Sequence, residues 1–159
     1  MSEPIPDASL DDTVSATLAA SRALVGVAAR SLVGLDDEVT LAQFRTLVLM
    51  DTRGPQTAGS LAADLAIHPS TATRLFDRLE RKGLICRTAS ADNRREVTIE
   101  LADPGRRLVA DVTAARRAQL AQILIQLPHA RRRPVIKAFQ EFAAAAGEAP
   151  ETAWMLGWQ

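Results

Sequence analysis

The 159-residue sequence has one cysteine, Cys86, no tyrosine, and only 4% aromatic residues. A single cysteine excludes an internal disulfide framework and fits a reducing compartment. Scarce aromatics argue against a β-sandwich and for helices packed through Ala, Leu and Val, at an ordinary hydrophobic content of 47%. No apolar run approaches the ~18 residues that a membrane span needs. Met1 to Leu10 is acidic with two prolines, and lacks the basic and apolar regions of a secretion signal. The expectation is a soluble, cytoplasmic protein without membrane association. Net charge is also absent: the formal sum is zero, which taken alone argues against a nucleic-acid binder.

The distribution of charge says more than its sum. Residues 68–95 carry Arg74, Arg78, Arg81, Lys82, Arg87, Arg94 and Arg95 against Asp77, Glu80 and Asp92, a local +4. Residues 1–38 are acidic by a local −5, with Glu3, Asp7, Asp11, Asp12, Asp36, Asp37 and Glu38 against Arg22 and Arg30. A second basic stretch, 103–137, has eight cations against Asp103 and Asp111. That surplus either faces a polyanion or balances the acidic N-terminal third.

What is present centres on residues 56–101. His68-Pro69-Ser70-Thr71-Ala72-Thr73-Arg74-Leu75-Phe76-Asp77-Arg78-Leu79 has apolar residues at Ala72, Leu75, Phe76 and Leu79, the spacing of an amphipathic helix. Pro69 suits the first turn and Gly83 a left-handed cap just past the end. The opposite face carries Ser70, Thr73, Arg74, Asp77, Arg78 and Arg81. Small hydroxyls allow close approach to a groove, and arginines one turn apart reach base edges or phosphates, the arrangement of a DNA recognition helix.

Around it, periodicity predicts a helix over Leu10–Leu35 begun by Asp11 or Asp12 and ended at Gly34, an acidic link, and a helix over 41–53 capped by Thr40. A short helix follows over Thr57–Leu65, then a turn at Ala66-Ile67-His68. After Gly83 the period changes. Leu84–Thr88 and Glu96–Leu101 read as strands, the second with Val97, Ile99 and Leu101 on one face, joined by turn chemistry at Ser90–Arg94. Asp103 as cap with Pro104 predicts a helix to about Leu127, and a last helix covers about Arg131–Ala146, with Pro134 restricting its start. Long flanking helices exceed what the middle module can cover, so a two-fold dimer follows.

The segments Val39–Arg45, Leu61–Leu65 and Ser70–Leu84, with Asp92-Asn93-Arg94-Arg95 and the closing Leu101 and Gly105, resemble the MarR family of winged helix-turn-helix regulators in order and spacing over residues 10–146. The resemblance implies a mainly α fold: a flexible N-terminus at 1–9, a winged helix-turn-helix domain at 39–102, a helical dimerisation region at 10–38 and 103–147, and a tail at 148–159. It implies a homodimer on a pseudo-palindromic operator of double-stranded DNA, most often a repressor. A small, often aromatic, ligand or cysteine oxidation lowers DNA affinity in that family. Leu101-Ala102 departs from the family's Leu-Thr, with Asp103-Pro104 taking over the cap, and the Trp154 and Trp158 tail has no family counterpart.

On this basis Arg74 and Arg78 are expected in the major groove, supported by Ser70, Thr71 and Thr73. Arg94 or Arg95 is expected in the minor groove, where narrow A/T-rich DNA concentrates negative potential, with Asp92 orienting an arginine. Solvated surface charges are the plainer alternative for each. Loss of Arg94 is expected to flatten the salt dependence of binding. His68 is assigned a capping role. His129 has no partner at ligand spacing, so neither metal nor cofactor is expected. An effector pocket is placed between the flanking helices and the winged domain, lined by Leu24, Ala28, Phe44, Leu47 and Val112, each of which equally fits ordinary core. Cys86 is read as a quiet structural residue, with redox sensing the minority mechanism. A winged-helix protein-interaction module without DNA binding is the second reading. No nucleophile–base pair, phosphate loop or paired carboxylates at meaningful spacing supports an enzyme.

Overall fold

The computed structural model describes residues 9–33, 39–89 and 97–148. Along these the elements run α1 (Leu10–Arg30), α2 (Leu41–Arg53), β1 (Gln56–Thr57), α3 (Ala58–Asp64), α4 (Pro69–Arg81), β2 (Ile85–Ala89), β3 (Val97–Leu101), α5 (Asp103–Leu124) and α6 (His129–Ala145). The fold is mainly α, with one small antiparallel sheet in the order β1-β3-β2. β2 and β3 form the hairpin of the wing, with Ile85 opposite Leu101 and Ala89 opposite Val97. β1 lies on the other side of β3, with Gln56 opposite Ile99. The wing tip, with Asp92, Arg94 and Arg95, lies outside the described residues, as do the N-terminus at 1–8, the acidic link at 34–38 and the tail with Trp154 and Trp158.

The core belongs to the winged module. Phe44 and Leu47 of α2, Leu61 of α3, Phe76 and Leu79 of α4, Ile99 of β3 and Val112 of α5 are all 0–1% exposed. Burying a side chain of this size stabilises by roughly 1.5–3 kcal/mol. α5 thus joins the flanking helices to the module by its first half. Gly105 marks the join: a Cβ there would overlap the Leu84 carbonyl oxygen and lie 3.1 Å from Leu101 Cδ2. The flanks contribute little to this core. α1 buries only Val27, and among the described residues α6 buries none.

Caps set the helix boundaries. The Thr40 side chain accepts from Gln43 N while the Gln43 side chain accepts from Thr40 N, a reciprocal box at the start of α2. Ser9 and Asp12 do the same for α1, so Ser9, rather than Asp11 or Asp12, is the cap. α1 also ends at Arg30, earlier than expected, because Leu32 and Val33 bond three residues back and tighten the last turn. Asp103 is not the cap of α5 either. Ala102 holds that position with no side-chain bond, and Asp103 instead sits in the first turn, 3.7 Å from Arg106, where its charge favours the helix dipole. α5 ends at Leu124, and Gln126 and Leu127 close the turn with bonds three residues back. α6 begins at His129, two residues before the expected start, and Pro134 lies inside it. One helix hydrogen bond lost after the first turn is evidently tolerated on this exposed element.

Candidate nucleic-acid interface

The short α3, a turn and α4 form the helix-turn-helix. The turn is a Schellman cap: Ala66 N donates to Ala63 O at 3.0 Å and Ile67 N to Ala62 O at 3.1 Å. Ala66 takes a φ of 53°, a left-handed conformation more often filled by glycine. His68 then caps α4, its Nδ1 accepting from Ser70 N at 3.3 Å and lying 2.9 Å from Ser70 Oγ. At the far end Gly83, φ 67°, repeats the Schellman pattern, with Leu84 N donating to Leu79 O at 3.0 Å. Both ends of α4 are therefore fixed by backbone geometry. Ala72, Phe76 and Leu79 seat its inner face in the core.

Fixing the inner face displays the outer one. Ser70, Thr71, Thr73, Arg74 and Arg78 are all exposed. Thr73 Oγ1 donates to Pro69 O at 3.0 Å, so its hydroxyl is already satisfied within the helix. Among the described residues no carboxylate pairs with Arg74 or Arg78. The acidic residues of the helix are engaged elsewhere: Arg87 of β2 reaches Asp77 Oδ1 at 2.7 Å and also binds Glu80. Arg81 donates through Nε to Asp77 O. This division of partners leaves the positive charge of Arg74 and Arg78 unneutralised on the open face.

Arg45 was missed in the sequence reading. It is an exposed side chain on α2 between buried Phe44 and Thr46, and it borders a groove shared with Thr40, Thr71, Arg74 and Arg78. The capped N-terminus of α2 opens on the same groove, a polarity that suits a phosphate. A second hollow, sharing Thr40, Gln43 and Arg78 with the first, is also lined by Arg81 and Lys82. An outward arginine one residue from a core phenylalanine was the available signal, but only the fold brings it beside α4.

The residues expected to line an effector pocket do not share one hollow. Phe44, Leu47 and Val112 are closed core, 0–1% exposed. Leu24 and Ala28 instead border a cleft of about 720 Å³ formed by α1, α5 and α6, without lining residues from the winged module. Cys86 Sγ lies 3.7 Å from Glu100 Oε1. Burial first, then the Glu100 charge, push its thiol above the ordinary range, which disfavours the thiolate that oxidation requires. Among the described residues no three His, Cys, Asp or Glu converge as a metal site, and no helix is long and apolar enough to cross a membrane.

The MarR family model matches residues 39–97. The chain is similar to the HTH-type transcriptional repressor MdtR of Bacillus subtilis, 35% identical over 86 residues, or 54% of this chain and 56% of that protein. The match thus spans little more than half the length of that relative. The crystal structure of RV1404 from Mycobacterium tuberculosis superposes with a TM-score of 0.83 at 37% identity, covering 92% of this chain and 100% of that one. A MarR family protein from Bacillus stearothermophilus shares the fold, with a TM-score of 0.78 at 22% identity over 87% of this chain and 96% of that one.

Proposed function

The chain belongs to the MarR family of DNA-binding transcriptional regulators, and from that premise we propose that it is a repressor. It acts as a homodimer on a pseudo-palindromic operator and is released by a small ligand. The observation that carries this reading is the open face of α4, where Arg74 and Arg78 have no acidic partner among the described residues while the acidic residues beside them are held by Arg87. In this reading Arg74 and Arg78 read base edges in the major groove, and Ser70, Thr71 and Thr73 support the approach. Arg45 and the α2 N-terminus hold a phosphate. Arg94 or Arg95 enters the minor groove from the wing, with Asp92 orienting an arginine. The repressor sense is supported by the similarity to MdtR.

Dimerisation is supported by the flanks. Leu10, Val14, Val33, Ile123, Ile125 and Ile136 are 46–81% exposed, an apolar excess that a lone subunit would leave in water. The experiment is a selection of the purified protein on random duplex DNA, at low and moderate salt. Two inverted half-sites and a binding constant falling steeply with salt are expected. Recovery of no enriched duplex at low ionic strength overturns the reading.

A further inference from the structure

α5 belongs to both halves of the chain. Its first half closes the core of the winged module through Val109 and Val112. In its second half Gln119 Oε1 accepts from Arg30 Nε of α1 at 3.3 Å. Packed helices tolerate a scatter of about 15–20° in crossing angle, so apolar contacts alone set the turn of the module about α5 only loosely. Contacts away from the axis of α5 are needed to fix it.

Arg116, one turn beyond Val112, makes two of them. Its Nε donates to Ser31 Oγ at 2.9 Å, just past the end of α1, and its guanidinium lies 4.4 Å from the centroid of the Phe44 ring on α2. Both partners are themselves held. Ser31 Oγ donates to Ala28 O at 2.7 Å, and Phe44 is buried in the core of the module. Among the described residues no carboxylate neutralises Arg116, and its Nη2 is buried with no hydrogen-bond partner. The charge is met instead by the carbonyl end of α1 and by an aromatic ring, both attractive to a cation.

Such a side chain is a poor source of stability, because an apolar one of similar volume would avoid its desolvation cost. What it supplies is direction. The hydrogen bond weakens steeply with angle, and the ring contact requires the cation within about 6 Å of the centroid. A rotation of the module against the flanks breaks both and leaves a buried charge among apolar groups.

We infer that Arg116 is a positioning residue: it fixes the orientation of the winged module on the flanks, and through it the separation of the two α4 helices. The inference rests on the reading of the chain as a homodimeric operator-binding regulator. Arg116 acts here through Ser31 and Phe44, without touching DNA. Its removal therefore leaves recognition by each module intact and blurs the spacing at which two modules bind together.

The test measures spacing apart from recognition, on the full-length protein. Operator duplexes carry zero, one or two base pairs inserted between the half-sites, and two inserted pairs turn one half-site by about 70° at ~10.5 base pairs per turn. The parent is expected to lose at least about tenfold in affinity on the longer insertion, and Arg116→Met no more than about threefold. Affinity for a single half-site should match the parent, and the melting temperature should not fall. Without DNA, spin labels at Ala63→Cys in a Cys86→Ser background, an exposed position on α3, report the distance between the two modules. A narrow distribution in the parent is expected to broaden in Arg116→Met. Ser31→Ala removes the acceptor, keeps the arginine, and is expected to broaden it too; it decides the matter if Arg116→Met does not fold. Unchanged distances, an unchanged insertion penalty, or a parent indifferent to spacing each overturns the inference. So does an equal loss at every spacing with a lowered melting temperature, the mark of a merely structural side chain. A parent that holds no duplex removes the regulator reading and this one with it. A parent whose spacing preference survives both substitutions removes this one alone.

Discussion

Arg74 and Arg78 differ from Arg87, which holds Asp77 and Glu80, in having no acidic partner among the described residues, and this decides their expected behaviour. Arg74→Ala is expected to weaken operator binding by about 1–3 kcal/mol, about fivefold to 150-fold, if it makes a bidentate contact with guanine. Titration of duplexes with single base changes checks it: a base contact relaxes specificity at one position, whereas a phosphate contact weakens all sequences alike. Arg78→Ala is read by the same assay. Asp51 on α2 gives a prediction in pH. Burial raises its carboxyl above the ordinary range, against a smaller opposing effect of Arg106. The unfolded chain then ionises first as pH rises, so this group favours the fold in acid and loses that contribution as pH climbs through its raised value. Asp51→Asn is expected to raise the melting temperature at pH 7 and to lose that gain below the carboxylate range. Thermal unfolding at several pH values measures the difference, and a gain independent of pH sinks the assignment.

Among elements, the brace between β2 and α4 has the most specific consequence. Arg87 joins the wing to the recognition helix through Asp77 and Glu80 without facing the groove that Arg74 and Arg78 border. Exposed ion pairs contribute ~0.2–1 kcal/mol each, so Arg87→Met is expected to lower operator affinity about threefold and to speed amide exchange in β2. Unchanged exchange with unchanged affinity makes the pair a surface ornament. α4 itself was legible because its period, Pro69 and Gly83 all agree on one helix. β1 was not: two residues have no period, and Gln56 and Thr57 become a strand only because Ile99 and Thr98 lie opposite. The caps at Ser9 and Ala102 were misassigned for a related reason. An acidic residue favours both the cap and the first turn, and sequence spacing alone does not separate them. Phe44, Leu47 and Val112, offered as pocket lining or ordinary core, are core, and in sequence they look the same whether they line a cavity or close a core. Their packing settles it, and that depends on how α1 and α6 stand relative to α5.

At the scale of the whole molecule, the two halves of the chain are unequally satisfied. The winged module closes its own core, while α1 and α6 bury one residue between them. Stable interfaces bury about 1,600 Å² in total, and the apolar flank provides the material for one between two copies. In the proposed dimer, pairing through the flanks leaves each α4 free and sets the distance between them, which makes operator affinity depend on an interface remote from DNA. Ile125 and Ile136, 63% and 56% exposed, lie outside the cleft and serve as probes. The Ile125→Asp, Ile136→Asp double variant is expected to sediment as a monomer while its melting temperature for the winged module changes little. On a duplex with two half-sites it is expected to bind at least about a hundredfold more weakly, because the second contact no longer benefits from a tethered effective concentration. On a single half-site the variant and the parent should bind alike. A variant that remains dimeric places the interface elsewhere on the flanks. A monomer that holds the full operator as tightly as the parent removes dimerisation from the account of DNA binding.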